Sequence, residues 1–278
     1  MKEMTIFILS LLYSFIYSQK KGGRENSSGD YVNLNIVRNI DLTNNIIKVE
    51  TKILIKSLRI DPIYTYKFPI IKNNTRSLVL LKASVMSTGD HENITLKISP
   101  LREKSSDFEF YEFNFKTEPM NHEEERYLLI TEHYSEKLEM LPKKISLTQD
   151  QLVVFSDTIN HVSFYPTNTQ QTIVNLPSEK TDVIDYTLLN VSKEKGKLIY
   201  NFENVIESLS VKKLRLHYEN NKALSSFTYA IKIVEVSHWG NIAVEERYKV
   251  ENIGAKLEGE FGRVDYDEKG RRGGKMLN

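Results

Sequence analysis

The chain has 278 residues, enough to bury one large or two modest cores without metal or cross-links. Lys and Arg number 38 against 37 Asp and Glu, so the molecule lacks the one-signed field that a nucleic-acid partner calls for. Cysteine is absent, which excludes disulfides, thiolate nucleophiles and Cys-ligated zinc or iron–sulfur centres, and no cofactor is needed to explain folding.

Lys2 precedes an apolar run over residues 4–17, and Ser18-Gln19-Lys20-Lys21-Gly22-Gly23 follows at once. This is the grammar of a signal peptide over residues 1–18, and the run is shorter than the ~20 residues a bilayer span requires. Four Asn-x-Ser/Thr triplets fit a secretory route: Asn26-Ser27-Ser28, Asn73-Asn74-Thr75, Asn93-Ile94-Thr95 and Asn190-Val191-Ser192. They make Asn26, Asn73, Asn93 and Asn190 candidate glycosylation sites. No later stretch approaches a membrane-spanning length, so the mature chain as written is expected to be soluble.

Residues 19–30 read as a flexible lead-in. Ile47, Val49, Thr51, Ile53 and Ile55 then alternate with Lys48, Glu50 and Lys52, the period of a half-buried strand. Residues 78–85 and 94–98 repeat the device. Between Phe110 and Tyr111 the aromatic phase slips by one residue, which predicts a β-bulge or tight turn. Further strands are expected at 127–134, 152–155, 172–176, 197–202, 211–217, 226–236 and 241–250, while only 135–141 looks locally helical. The fold class is therefore mainly β, with antiparallel sheets packed as a sandwich or saddle and few short helices. The charged, Gly-rich residues 267–278 are expected to be a disordered tail.

Residue patterns that carry chemistry are scarce. His122-Glu123-Glu124-Glu125 is followed by Arg126, so the second histidine of a zinc-hydrolase motif is lacking. Glu132 and His133, like Glu245 and Glu246, are strand neighbours whose side chains leave opposite faces. No nucleophile elbow, phosphate loop or dinucleotide fingerprint is present, and no metal-binding or cofactor-binding residue is nominated. The segment Ser237-His238-Trp239-Gly240-Asn241 stands out, because the single Trp of the chain lies between two alternating strands. Gly240 and Asn241 tolerate positive φ, which predicts a turn with Trp239 packed as its anchor; a binding site is the alternative.

That segment, with Val234-Glu235-Val236 before it and Ile242-Ala243-Val244-Glu245-Glu246 after it, resembles the ribophorin I family, subunit 1 of the oligosaccharyltransferase. Similar to the family in the same order are Val37-Arg38-Asn39-Ile40-Asp41-Leu42, Gln151-Leu152-Val153-Val154-Phe155 and Tyr165-Pro166-Thr167-x-Thr169-Gln170. Leu216-His217-Tyr218-Glu219-Asn220-Asn221, Gly254-Ala255-Lys256-Leu257-Glu258-Gly259 and Phe261-x-Arg263-x-Asp265-Tyr266 complete the likeness, which covers residues 31–266.

The resemblance implies a lumenal, non-catalytic subunit of the endoplasmic-reticulum complex that supports N-glycosylation, with the transfer chemistry in another subunit. It implies other oligosaccharyltransferase subunits as partners, the nascent polypeptide as a further one, and no nucleic acid. In that family a second lumenal domain and a membrane span follow, so membrane association of this chain is expected through the complex. The expected organisation is a β-sandwich domain over 31–236, with 178 as an alternative cut, and the start of an incomplete second β domain over 237–266. Residues 32–176 are also similar in architecture to the saddle domain of zinc aminopeptidases. An independent secreted β-sandwich binding module is the competing reading, and a hydrolase rests on that architecture alone.

Overall fold

The alternation from Ile47 to Ile55 folds as expected: β2 (Ile47–Ser57) buries every odd-numbered side chain and turns Lys48, Glu50 and Lys52 to the other face. The computed structural model describes residues 27–87, 92–103, 105–115, 118–259 and 262–264. In it β2 lies within an eight-stranded sheet. The strand order is β14 (Val191–Glu194), β15 (Lys197–Phe202), β12 (Thr167–Asn175), β1 (Tyr31–Asp41), β2, β8 (Glu125–Tyr134), β4 (Leu78–Val85) and β5 (Ile94–Thr95). Neighbours are antiparallel except β1 and β12, which run parallel.

Two smaller sheets cover one face of the large one. Over one half lies β3 (Thr65–Ile71), β7 (Phe108–Asn114) and β6 (Lys97–Pro100). Over the other lies β13 (Val183–Tyr186), β16 (Lys213–Glu219), β11 (Leu152–Thr158) and β9 (Leu138–Met140). The core is correspondingly split. Ile36, Ile53, Leu128 and Ile130 meet Tyr66, Phe68 and Phe113, whereas Ile40, Val49, Tyr134 and Val174 meet Val153, Phe155 and Leu216. Each such side chain contributes roughly 1.5–3 kcal/mol on leaving water, which is what holds sheet to sheet.

The remaining elements are a one-turn helix, α1 (Lys72–Thr75), a two-residue parallel pairing of β10 (Lys144–Ile145) with β19 (Lys256–Leu257), and a hairpin. The hairpin, β17 (Ser225–Val236) and β18 (Ile242–Asn252), is a separate two-stranded sheet.

Several sequence expectations are corrected. Residues 135–141 hold the short strand β9, not a helical turn, because Leu138 and Met140 are drawn against the Val153–Phe155 strand. Residues 94–98 split between two sheets around buried Leu96. The aromatic slip at Phe110 and Tyr111 is no bulge, since β7 keeps unbroken register with β3 and β6. Aromatics occupy both faces because both are covered: Phe113 stacks on Phe68, while Phe110 meets Phe164 edge-on and the Lys67 ammonium. Within the expected lead-in, Ser27 to Asp30 form a side-chain-bonded turn with Asp30 buried. Of the expected bounds, 236 is the last residue of β17 and 178 lies in the connection between β12 and β13. Residues 1–18, most of 19–30 and the 267–278 tail lie outside the described residues.

Candidate functional site

Where the two apolar clusters part, the covered face of the large sheet turns polar. Arg38 occupies the inward phase between Ile36 and Ile40, opposite Thr51 on one side and Thr172 on the other. Glu132 sits likewise between Ile130 and Tyr134. A buried strap, residues 159–163, closes the seam from above. Arg38 Nη1 donates to the Thr158 carbonyl at 2.5 Å, and Nη2 lies 3.3 Å from Asp157 Oδ2. Asp157 Oδ1 accepts from Asn74 at 3.1 Å, and Asn74 in turn accepts from Lys137 at 2.6 Å. Tyr134 donates to Glu132 Oε1 at 2.5 Å.

Burial pushes the Glu132 carboxyl up against the pull of Arg38, and burial pulls the Lys137 ammonium down. Burial, with Arg38 adding to it, holds the His161 imidazole down to about 3, so it is neutral. A cavity of about 30 Å³ opens beside Arg38, Glu132, Asp157 and His161, with room for a water or two. Arg38 Nε and His161 Nε2 have no protein hydrogen-bond partner. The arrangement ties ionic groups to one another and joins the two halves of the core. Sequence reasoning passed over it, although the signal was present: a charged residue in the apolar phase of a strand.

The second site is the hairpin. Along one face Val234, Val236, Ile242, Val244, Phe227, Tyr248 and Val250 are exposed, broken by the Lys232–Glu246 ion pair at 2.8 Å. Its turn is Ser237-His238-Trp239-Gly240-Asn241, and Gly240 has φ +83°, as expected for that residue. The turn is held by Ser237 N on the Asn241 carbonyl at 2.9 Å and Asn241 N on Ser237 Oγ at 3.1 Å. Trp239 does not anchor it. The ring is 93% exposed at the tip, because no layer of the described residues stands behind this two-stranded sheet.

The hairpin's root is tied tightly. Gln151 Nε2 donates to the Asn220 carbonyl at 2.7 Å, and Gln151 Oε1 accepts from Ala255 N at 2.9 Å. Asn221 Oδ1 accepts from Gln151 N at 2.8 Å. A Cβ on Gly254 would stand 2.5 Å from Gln151 Oε1, so a larger residue there would push the Gln151 amide aside and disturb its bond to Ala255 N. Three stretches distant in sequence, 151–155, 216–221 and 254–259, thus converge where the hairpin leaves and rejoins the body.

Of the candidate glycosylation residues, Asn73, Asn93 and Asn190 are exposed, and Asn26 lies outside the described residues. Glu123 pairs with Lys56 and Glu124 with Arg126, while Glu245 pairs with Arg247 at 2.6 Å. No cluster of three or more His, Asp or Glu suited to a metal occurs among the described residues.

Fold and sites together define a multi-sheet, mostly antiparallel β protein carrying an ionic seam and an exposed hairpin arm. The model of the Ribophorin I family matches residues 31–276, and the chain belongs to that family. Subunit 1 of dolichyl-diphosphooligosaccharide–protein glycosyltransferase from Caenorhabditis elegans is 32% identical over 241 residues, 86% of this chain and 40% of that protein. Subunit 1B from Arabidopsis thaliana is 27% identical over 249 residues, 87% of this chain and 53% of that protein. The chain spans about half the length, or less, of these relatives. Among solved structures, yeast LTA4 hydrolase matches 72% of this chain and 32% of its own, with TM-score 0.41 and 10% identity. An M1 zinc metallopeptidase from Deinococcus radiodurans matches 86% of this chain and 55% of its own, with TM-score 0.36 and 9% identity.

Proposed function

We propose that this chain acts as a non-catalytic lumenal subunit of the endoplasmic-reticulum oligosaccharyltransferase, supporting transfer of lipid-linked oligosaccharide to Asn-x-Ser/Thr in nascent proteins. The observation that carries the reading is the family match over residues 31–276, joined to relatives named as subunit 1 of that transferase. The seam supports the non-catalytic part. An imidazole held at about 3 is a poor base at neutral pH, and the charged groups around it are engaged with one another.

The signal peptide over residues 1–18 supplies the route to the lumen. Among the described residues no helix is long and apolar enough to cross a membrane. In this reading the chain associates with the membrane together with its partner subunits. The hairpin is the contact element in this reading, offering Trp239 and the apolar face around Val236 and Ile242 to a neighbouring β surface. On the same reading residues 31–236 form the β-sandwich domain and residues 237–266 start a second β unit, whose returning residues 253–258 bond back to the body. Affinity purification of the tagged chain from solubilised endoplasmic-reticulum membranes tests the proposal. Co-purification of the catalytic transferase subunit is expected; recovery of the chain alone, or from the culture medium, would overturn it.

A further inference from the structure

A sheet open at both ends presents two rows of unpaired backbone groups, which invite pairing with another chain. Among the described residues, the ends of the eight-stranded sheet are β14 and β5. Each is entered directly from a sequon asparagine: Asn190 precedes Val191 of β14, and Asn93 precedes Ile94 of β5. Exposed apolar side chains lie at the same places, Leu188 and Leu189 before β14 and Ile94 on β5. We propose that N-glycans on Asn93 and Asn190 guard the two free edges of the large sheet, which rests on the lumenal placement proposed above.

The local geometry favours attachment at both positions. Asn93 Oδ1 accepts from Ser87 N at 3.3 Å, a bond that leaves the reactive Nδ2 unused. Asn190 is exposed in the left-handed region at φ 48°, a conformation that asparagine tolerates at turns, and its carbonyl accepts from Asn201 N at 3.2 Å. Asn201, Glu203 and Asn204 form a polar shelf with Asn190 around a cleft of about 300 Å³, on which the first sugars find hydrogen-bond partners. Asn73 differs: it lies on α1 and adjoins neither end strand in sequence. In the transfer, Asn Nδ2 bonds to the sugar C1 of a lipid-diphosphate-linked oligosaccharide. The C1–O bond to phosphate breaks, the lipid diphosphate leaves, and the amide loses one proton.

The test expresses the full chain in cells with an intact secretory pathway and maps occupancy by endoglycosidase-sensitive mobility and glycopeptide mass spectrometry. N93Q and N190Q are each expected to remove one glycan, as are T95A and S192A, which leave the asparagines in place. The double variant is expected to raise the aggregated fraction by about twofold or more at matched concentration, through exposed edges, whereas N73Q leaves it unchanged. An A243T variant supplies a control sequon at the exposed hairpin turn. A glycan on Asn241 of A243T with Asn93 and Asn190 bare overturns this inference alone; no glycan at any site, Asn241 included, removes the lumenal reading and this one with it. Occupied Asn93 and Asn190 whose loss leaves association unchanged also overturn the guarding role.

Discussion

The large sheet and the hairpin arm are written in the same alternating code, yet they end in opposite environments. Ile53 on β2 is 0% exposed, whereas Val236 on β17 is 71% exposed. Alternation declares which face of a strand is apolar, and it leaves open what covers that face. For β2 the cover comes from strands up to a hundred and more residues away in sequence, and for β17 and β18 it comes from none of the described residues. An isolated two-stranded sheet is marginal in water, so the hydrogen-bonded root around Gln151 carries the arm.

The sharpest way to break this contrast is at the seam. Asp157→Ala strips the partner from buried Arg38, and chemical denaturation should show a loss of about 3–5 kcal/mol. Replacing both members by apolar residues should recover most of that loss; if it does not, the pair does more than satisfy itself. Next in size is Phe155→Ala in the covered core, expected to cost about 3–5 kcal/mol, against less than about 0.5 kcal/mol for Val236→Ala on the arm. Equal effects at the two positions would erase the distinction between them.

A third prediction concerns acid. His161 is held from 6.5 down to about 3 by burial and by Arg38, with Asp157 and Glu132 facing the same cavity. The unfolded chain therefore takes up this proton first, and the stability present above pH ~6.5 is lost as pH falls towards about 3. His161→Gln should flatten the stability curve across that window. Glu132 shifts the opposite way: its raised carboxyl contributes stability at low pH that is lost as pH rises through its folded value, and Glu132→Gln should remove that slope. The smallest effect is expected from Trp239→Ala, within about 0.5 kcal/mol for the isolated chain. Because Trp239 is the single tryptophan, its emission should be solvent-like and freely quenched in the free chain, and should shift to the blue when the arm finds its partner.

The β class, the strand at 197–202 and both arms of the hairpin were legible because period-two alternation is local information. So was the positive φ at Gly240. The burial of Trp239 was misjudged, since covering a ring depends on a second layer that no local pattern announces. Arg38, Thr51 and Glu132 were readable as polar residues in an apolar phase, but the groups that meet at the seam, Asp157 with its partner Asn74 and the neighbouring His161, come from a strand, a helix turn and a strap with no shared period. The strap itself is held by bonds such as Asn33 Nδ2 to Ser163 Oγ at 2.8 Å and Lys212 N to Asn160 Oδ1 at 2.8 Å, which only the fold brings within reach.

The parallel pairing of β1 with β12 has a consequence for biogenesis. Asn33 finds its rung opposite Thr167, so the first of the described strands occupies the middle of the sheet and lies more than a hundred residues ahead of its second neighbour. Until that neighbour pairs, β1, β2, β8, β4 and β5 can form only half of the sheet, with β1 as an open edge, and loop closure over that span slows its completion. The middle of the sheet is therefore the part completed late, and a destabilised β12 would leave β1 open on one side.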